Sequence, residues 1–415
     1  MTEWRKYYFK DIFQIIDGDR GVNYPKQSDL YSEGFCLFLN TGNVTSSGFN
    51  FEKNQFITKE KDKMLRKGKL RRGDIVFTTR GTVGNVALYD DSIPYENIRI
   101  NSGMVILRTN ESVTNKEFIF QILKSNYKKK LISPFISGSV QPQLPIKDLK
   151  EISLPLPPLP EQKAIAEVLS SLDDKIDLLT RQNKTLEDVA QAYFRKWFIE
   201  DASDEWEDVN LSSFIDYTIG GDWGKEKLID GYDNEVLCIR GTDIGNFSKE
   251  LLRKAPVRFI KKEKLEKCKL IDGDIVIEIS GGSDKQSTGR AIYINKKILS
   301  LYKLPIICSN FCRVLRPKNR KHVYFVYEYL KYLYNIGEFF NYENGTSGIR
   351  NLALDAVLNE IHIKIPPKYL LNEKNELFDD LYKKQQSNNS HILTLQKLRD
   401  TLLPKLISGE IRVKM

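Results

Sequence analysis

Cysteine and histidine are scarce. The 415-residue chain has five cysteines, Cys36, Cys238, Cys268, Cys308 and Cys312. An odd number without paired C-x-x-C spacing argues against a disulfide framework and a structural zinc site, and it suits a reducing cytoplasm. Three scattered histidines, His322, His362 and His391, point to core or surface roles rather than metal binding or catalysis. No apolar run approaches the ~18 residues of a membrane span, and no signal peptide is expected. No G-x-x-x-x-G-K-[ST] loop occurs, so a motor ATPase is not expected. Nor is there a G-x-G-x-x-G or an Asn-Pro-Pro-Tyr type sequence, so nothing points to a cofactor-bound adenine methyltransferase. Asp272, Asp274 and Glu278 crowd one strand, but Ile279 and Ser280 follow Glu278. The Glu-x-Lys ending of a common nuclease metal site is therefore missing, and turn residues ahead of a strand explain the trio.

Proline, by contrast, is concentrated. Residues 155–160 read PLPPLP, and an unbroken helical pattern follows. Apolar residues then fall at Ile165, Leu169, Leu172, Ile176, Leu179, Leu186, Ala190, Tyr193 and Trp197, with Asn183 filling the one gap. Steps of four and three alternate, which is a heptad seam held for about four and a half heptads. A polar residue in such a seam fixes register, and Asn183 is placed to do so. Proline is tolerated ahead of a helix and in its first turn only, so Pro157, Pro158 and Pro160 mark the start.

The pattern occurs twice. Pro157-Pro158 matches Pro366-Pro367, and AYFRKWFIED (192–201) matches TLLPKLISGE (401–410) at the same offset of 209. The two helical segments are thus equally long. In the second, Phe378, Leu381, Ile392, Leu395, Leu402 and Leu406 fit a seam, whereas Gln385, Asn388 and Arg399 do not, and Pro404 is expected to kink or end the helix. The repeat extends beyond the helices. Gly-Asp-Ile-Val stands at 73–76 and again at 273–276, NSGMVILRT (101–109) resembles SNFCRVLRP (309–317), and 138–158 resembles 345–367. Units this long are duplicated domains rather than solenoid repeats, which run ~20–50 residues. Short strands at 74–79, 85–90, 104–109, 274–280 and 290–295, with helices over 114–130 and 321–336, predict an α+β fold.

Charge is uneven. Residues 1–160 carry 24 basic against 17 acidic residues, 161–200 carry 6 against 8, 201–366 carry 25 against 24, and the net is +9. Basic residues bunch just before each Gly-Asp-Ile-Val. Recurrence at one place in both units favours phosphate contact, which supplies affinity without reading sequence. Connecting segments at 80–85, 137–143, 280–290 and 343–351 are rich in Gly, Ser, Thr, Asn and Gln. Such loops can present Arg to guanine and Gln or Asn to adenine. The candidate DNA contacts are Lys67, Lys69, Arg71, Arg72, Arg80, Thr82, Gln141 and Gln143 in the first unit. In the second they are Arg240, Lys262, Lys264, Lys285, Gln286, Arg350 and Asn351.

LPLPPLPEQKAIAEVLSSLDDKIDLL, AQAYFRKWF, the paired Gly-Asp-Ile-Val stretches, GIRNL at 348–352 and LRDTLLPKLISGEI at 398–411 occur together, in order, along the whole chain. In this combination the sequence resembles the specificity subunit of a type I restriction–modification system. The resemblance implies two target recognition domains, 1–157 and 201–366, each reading half of a bipartite site in double-stranded DNA. It also implies two conserved spacer helices, 158–200 and 367–415, packed as an antiparallel coiled coil with internal pseudo-two-fold symmetry. The helices would dock two methyltransferase subunits, and restriction subunits would join them. S-adenosylmethionine, ATP and Mg would then sit on those partners, with no cofactor, metal or catalysis on this cytoplasmic chain and no membrane. The second junction, IPPKYLLNE, departs from the Leu-Pro-Pro-Leu-x-Glu-Gln run. From Pro158 to Lys196 is 38 residues, as from Pro367 to Lys405. At a 1.5 Å rise each helix is roughly 57 Å long, enough to span one or more turns of B-DNA. Related readings are the recognition subunit of a modification system without a motor, and a stand-alone DNA-binding protein.

Overall fold

The computed structural model describes residues 4–46, 48–138, 141–245, 247, 251–252, 254–283, 286–345 and 349–413. The chain forms two compact units, Met1–Asp174 with Gln396–Met415, and Lys175–Leu395. Each is α+β, and the two share one strand order.

In the first unit a four-stranded antiparallel sheet runs Phe13–Asp17, Met104–Thr109, Ile75–Thr78, Val86–Leu88. A three-stranded mixed sheet runs Phe56–Ile57, Cys36–Leu39, Ile98–Ile100, its last pair parallel. The second unit repeats both. Its larger sheet runs Ile215–Gly220, Cys312–Pro317, Ile275–Glu278, Ala291–Tyr293, and its mixed sheet Val257–Ile260, Asn234–Ile239, Ile306–Cys308. A two-stranded ribbon closes each unit, Arg5–Tyr8 with Ser153–Leu156 and Glu207–Asn210 with His362–Ile365.

The Gly-Asp-Ile-Val repeat lies at the start of the central strand. That strand is buried along its length, with Ile75 and Phe77 in one apolar cluster and Val76 in another. Ile275 and Ile277, against Val276, do the same in the second unit. Burial on both faces is why these strands read as continuous apolar runs rather than alternating. The aspartate is structural. Asp74 accepts two hydrogen bonds from the Arg108 guanidinium, both 2.8 Å, and one from the Arg71 backbone N–H at 2.7 Å. Asp274 does the same with Arg316, at 2.7 and 2.8 Å, and with the Ile271 N–H at 2.8 Å. The arginines come from the Leu-Arg pairs of the second repeated stretch.

The first long helix spans Leu159–Arg195 and continues as a wider turn, Lys196–Glu200, closed by the Asp201 N–H on the Lys196 carbonyl at 2.9 Å. The second spans Lys368–Ser408. Both start where the paired prolines place them. The N–H of Gln162 bonds the Pro158 carbonyl at 3.0 Å, and that of Leu371 bonds Pro367 at 3.1 Å. Pro404 neither ends the helix nor stops at its own turn, because the helix runs one further turn to Ser408. Interior proline costs ~3 kcal/mol. Leu403, Leu406 and Ile407 are buried in the first unit's core around it, and burying each side chain contributes ~1.5–3 kcal/mol. Packing therefore outweighs the penalty.

The helices run antiparallel within each unit. In the first, Ile165, Ala166 and Leu169 share a core with Leu403, Leu406 and Ile407, and Asp173 pairs with Arg399 at 2.7 Å. In the second, Ile176 and Leu179 meet Ile392 and Leu395. Next, Asn183 donates to Asn389 at 2.7 Å and accepts from Asn388 at 3.0 Å, and Gln385 donates to Glu187 at 2.9 Å. The residues that broke the second seam (Gln385, Asn388, Arg399) thus face polar residues of the first helix. The first seam needs one correction. Tyr193 is exposed, whereas Phe194 and Phe198 are buried. A straight helix drifts from a 3.5-residue repeat, and here the drift turns Phe194 and Phe198 onto Phe325 of the second unit's core.

Two outcomes follow. Asn183→Leu strands the amides of Asn388 and Asn389, at 1% and 5% exposure, and should cost ~1–3 kcal/mol per unsatisfied amide. Asn183→Leu combined with leucine at 388 and 389 should recover much of it, as read by urea unfolding; equal loss in both variants would mean the layer acts by packing alone. Burial disfavours the charged form of Asp173, but Lys124, Arg399 and Gln121 outweigh it and hold the carboxyl below its ordinary value. A carboxyl lowered on folding stabilises above its unfolded value, and the contribution is lost as pH falls through its folded value. Melting temperature measured against pH should show a shallower acid limb in Asp173→Asn than in the native chain.

Candidate nucleic-acid interface

The central strand of each sheet ends at a pinned group of polar loops. In the first unit Thr79 N–H bonds the Gly103 carbonyl at 2.9 Å, and the Thr79 carbonyl accepts from Leu144 N–H at 2.9 Å. Arg80 then pairs with Gln143 as a β-bridge, and Gln143 pairs on its other side with Ser137. In the second unit Ile279 N–H bonds Phe311 at 2.9 Å, and its carbonyl accepts from Leu352 N–H at 2.8 Å. Ser280 pairs with Asn351, and Asn351 pairs with Asn344. The same three segments therefore meet in both units. Leu144 and Leu352 point into the unit and are buried, while Arg80, Gln143 and Asn351 are exposed. Rigid backbone with outward polar side chains is what a reading surface needs, because loop motion would blur the register of its donors and acceptors.

The remaining candidates divide. Thr82 and Gln141 are exposed on the same loops, Thr82 with its carbonyl accepting from the Thr78 hydroxyl. Arg350, half-buried, pairs with Glu343 at 3.2 Å, and Glu343 also accepts from Thr288. Gln286 is exposed and its amide lies 3.4 Å from the Tyr334 hydroxyl. Lys285 lies outside the described residues. Lys67 and Arg71 are exposed, as are Lys262 and Lys264 on the short helix Lys262–Cys268. Lys69 is instead tied to buried Asp62 at 2.7 Å. Arg72 lies over the Tyr89 ring at 4.2 Å and donates to the Ile93 carbonyl at 3.0 Å. Arg240 clasps Asp243 with two bonds of 2.9 Å and donates to the Lys254 carbonyl at 2.7 Å. These three basic side chains hold the scaffold together.

The carboxylate trio is accounted for the same way, each acid taking one arginine. Asp272 pairs with Arg320 at 2.9 Å, Asp274 with Arg316 at 2.7 Å and Glu278 with Arg290 at 2.6 Å. Among the described residues no group of three or more His, Cys, Asp or Glu could hold a metal ion. Burial pushes the thiols of Cys36, Cys238 and Cys312 up to about 12, which removes their nucleophilic form at neutral pH. Gln162 of the Glu-Gln run is fully buried. It accepts from Asn115 N–H at 2.9 Å and donates to the carbonyls of Val113 and Pro157 at 3.0 and 2.9 Å. In the second unit Leu371 stands at the matching position and is buried in the core, so the departure of that junction from the run is a change of internal packing.

Reading by composition missed a second duplicated element, Gly18-Asp19-Arg20-Gly21 and Gly221-Asp222-Trp223-Gly224. A Cβ on Gly18 would stand 2.2 Å from the Asn101 carbonyl oxygen, and one on Gly221 2.0 Å from that of Ser309. Asp19 accepts the Gly21 N–H at 2.7 Å and Asp222 the Gly224 N–H at 2.8 Å. The shared G-D-x-G spelling was the available signal.

The family model for the type I restriction modification DNA specificity domain matches residues 1–188 and 203–396. The type I restriction enzyme MjaIX specificity subunit of Methanocaldococcus jannaschii is 27% identical over 363 residues, covering 83% of this chain and 78% of that protein. The StySPI specificity subunit of Salmonella potsdam is 22% identical over 423 residues, covering 94% and 86%. The crystal structure of a type I restriction-modification S subunit from M. genitalium is 20% identical with a TM-score of 0.56, covering 99% of this chain and 96% of that one, and so shares the fold.

Surface and scaffold roles separate in stability. Arg80→Ala with Gln143→Ala should shift unfolding free energy by no more than ~0.5 kcal/mol, as exposed substitutions do. Arg240→Ala leaves the buried Asp243 carboxylate short of two donors and should cost ~1–3 kcal/mol. Urea titration followed by tryptophan fluorescence measures both, and a large loss in the first variant would make Arg80 and Gln143 scaffold residues.

Proposed function

The chain belongs to the type I restriction modification DNA specificity family, and on that premise we propose that it reads a bipartite target in double-stranded DNA and directs methyltransferase and restriction subunits to it. Residues 1–157 read one half-site and 201–366 the other. The stretches 158–200 and 367–415 serve as conserved spacer helices that dock two methyltransferase subunits, with restriction subunits completing the complex. Methyl transfer and cleavage belong to those partners, as do S-adenosylmethionine, ATP and Mg, and the work takes place in the cytoplasm. No helix among the described residues is long and apolar enough to cross a membrane.

The observation that supports this reading best is the duplicated, pinned polar group at the end of each central strand. One scaffold delivers Arg80 and Gln143 in the first unit and Ser280 and Asn351 in the second, with Arg350 beside Asn351 on the same strand. Arginine reads guanine and Gln or Asn reads adenine through paired hydrogen bonds, each good pair being worth ~1–3 kcal/mol of discrimination. Thr82, Gln141 and Gln286 extend the same loops, and Lys285 remains a candidate contact from its place in the sequence. Lys67, Arg71, Lys262 and Lys264 supply phosphate contact, which positions the protein without selecting sequence.

Methylation mapping in cells tests the assignment. Exchanging residues 1–157 for the matching part of another such subunit should change one half of a split methylated motif and leave the other half intact. Arg80→Ala with Gln143→Ala should relax the first half only. Alteration of both halves by either change would defeat the modular reading.

A further inference from the structure

Because the scaffold is duplicated, each unit serves as a control for the other. A residue required by the fold should recur at the matching position, and a residue that serves a ligand need not. One cleft of about 280 Å³ in the first unit separates the two cases. Its cationic lining is Arg20, Arg80 and Lys147, and its single carboxylate is Asp17.

The three cations have matching positions in the second unit. Arg20 is the variable residue of the Gly-Asp-x-Gly turn, where the second unit has Trp223. Arg80 occupies the bridge position taken by Ser280, as the pairings with Gln143 and Asn351 show. Lys147 is the second residue of the helix Ile146–Glu151, and Asp355 is the second residue of Leu354–Glu360. All three cations are therefore replaced by an aromatic, a hydroxyl and an acid, while the turn, the bridge and the helix persist. The scaffold has no need of the charges. Nor are they enclosed by it. Arg80 and Lys147 are exposed. Arg20 meets both carboxylate oxygens of Asp17 and the Ser102 carbonyl, each at 3.3 Å, yet the Arg20 and Asp17 side chains stay 47% and 25% exposed, so the guanidinium still faces the cleft. This contrasts with Arg108, held by a fully enclosed aspartate in both units' pattern.

Three cations against one carboxylate leave a local surplus of positive charge in a concave site, where field lines concentrate. The Arg80–Gln143 bridge is part of the cleft's lining, so an anion held there would lie beside the surface that meets base edges. We propose that Arg20 and Lys147 hold one backbone phosphate of duplex DNA next to the first half-site, a contact that the second unit lacks. The proposal rests on the DNA-reading function above. Arg80, in the same lining, adds to the field and keeps its own base-edge role. The first unit thereby makes one salt-dependent contact more than the second, in keeping with the +7 surplus of residues 1–160 against +1 for 201–366.

The test uses the full chain and a random-sequence duplex, with affinity measured across a KCl series. Arg20→Gln with Lys147→Gln should reduce the magnitude of the log–log salt slope by ~0.9, the value for one phosphate contact on duplex DNA. Lys163→Ala with Lys175→Ala, which removes the same charge from the exposed face of the first long helix, should leave the slope unchanged. The methylated motif in cells carrying the glutamine pair should keep both half-sites. If the slope is unchanged while Arg80→Ala with Gln143→Ala still relaxes the first half-site, the cleft is not a phosphate site although the DNA-reading function stands. If the glutamine pair changes a base of the first half-site, Arg20 and Lys147 read sequence and the proposal fails. If the helix pair lowers the slope as much as the cleft pair, the effect is one of net charge and the proposal fails again.

Discussion

A buried carboxylate clasped by an arginine on the neighbouring strand sets the register of each unit. Asp74 with Arg108, and Asp274 with Arg316, lie at the start of a strand whose two faces are both in the core. Both acids are enclosed, so breaking either pair would leave a charge without a partner, at a cost of ~3–5 kcal/mol. A slip of one residue would not only break the clasp but also exchange the faces of Ile75, Val76 and Phe77. The other end of the same strand delivers Arg80 in one unit and Ser280 in the other. Register at the acid end therefore decides which side chains reach the exposed end, a few residues away.

The long helices obey a similar logic. Apolar layers give adhesion but tolerate sliding by a heptad, since leucine packs against leucine in many registers. Polar layers do not. Asn183 has its partners only where Asn388 and Asn389 stand, and Asp173 has three donors only where Gln121, Lys124 and Arg399 converge. Each unit thus carries its own registration point. The apolar neighbours, Ile176, Leu179 and Ile392 among them, supply the adhesion.

Above this common frame the units diverge freely. Strand order, hydrogen-bonded bridges and the Gly-Asp-x-Gly turn are shared, while the side chains facing out are not. Arg20 answers to Trp223, Arg80 to Ser280 and Lys147 to Asp355. Trp223 has been taken into local structure, with the Arg258 guanidinium 3.9 Å above its ring. A fold does not determine a function, and within this one chain the same fold carries two different surfaces.

Much of the architecture was legible in sequence because it rests on local rules. Prolines end strands and start helices, glycine and aspartate start a buried strand, and an offset of 209 between two proline walls reveals duplication without any knowledge of shape. Base-reading candidates such as Arg80, Gln143 and Asn351 were legible as polar residues in glycine-rich loops. Tertiary structure alone decided the rest. Whether a lysine or arginine is spent on the scaffold depends on how deeply folding encloses its carboxylate partner: Arg240 and Lys69 bind enclosed acids, whereas Arg20 binds one that stays part-exposed. Pro404 stays inside a helix, and Phe194 rather than Tyr193 is buried, because a core assembled from distant segments outweighs local preference. Composition shows how much charge and apolar surface a chain carries. Which of it is neutralised or covered is a property of pairs, and pairs exist only once the chain has folded.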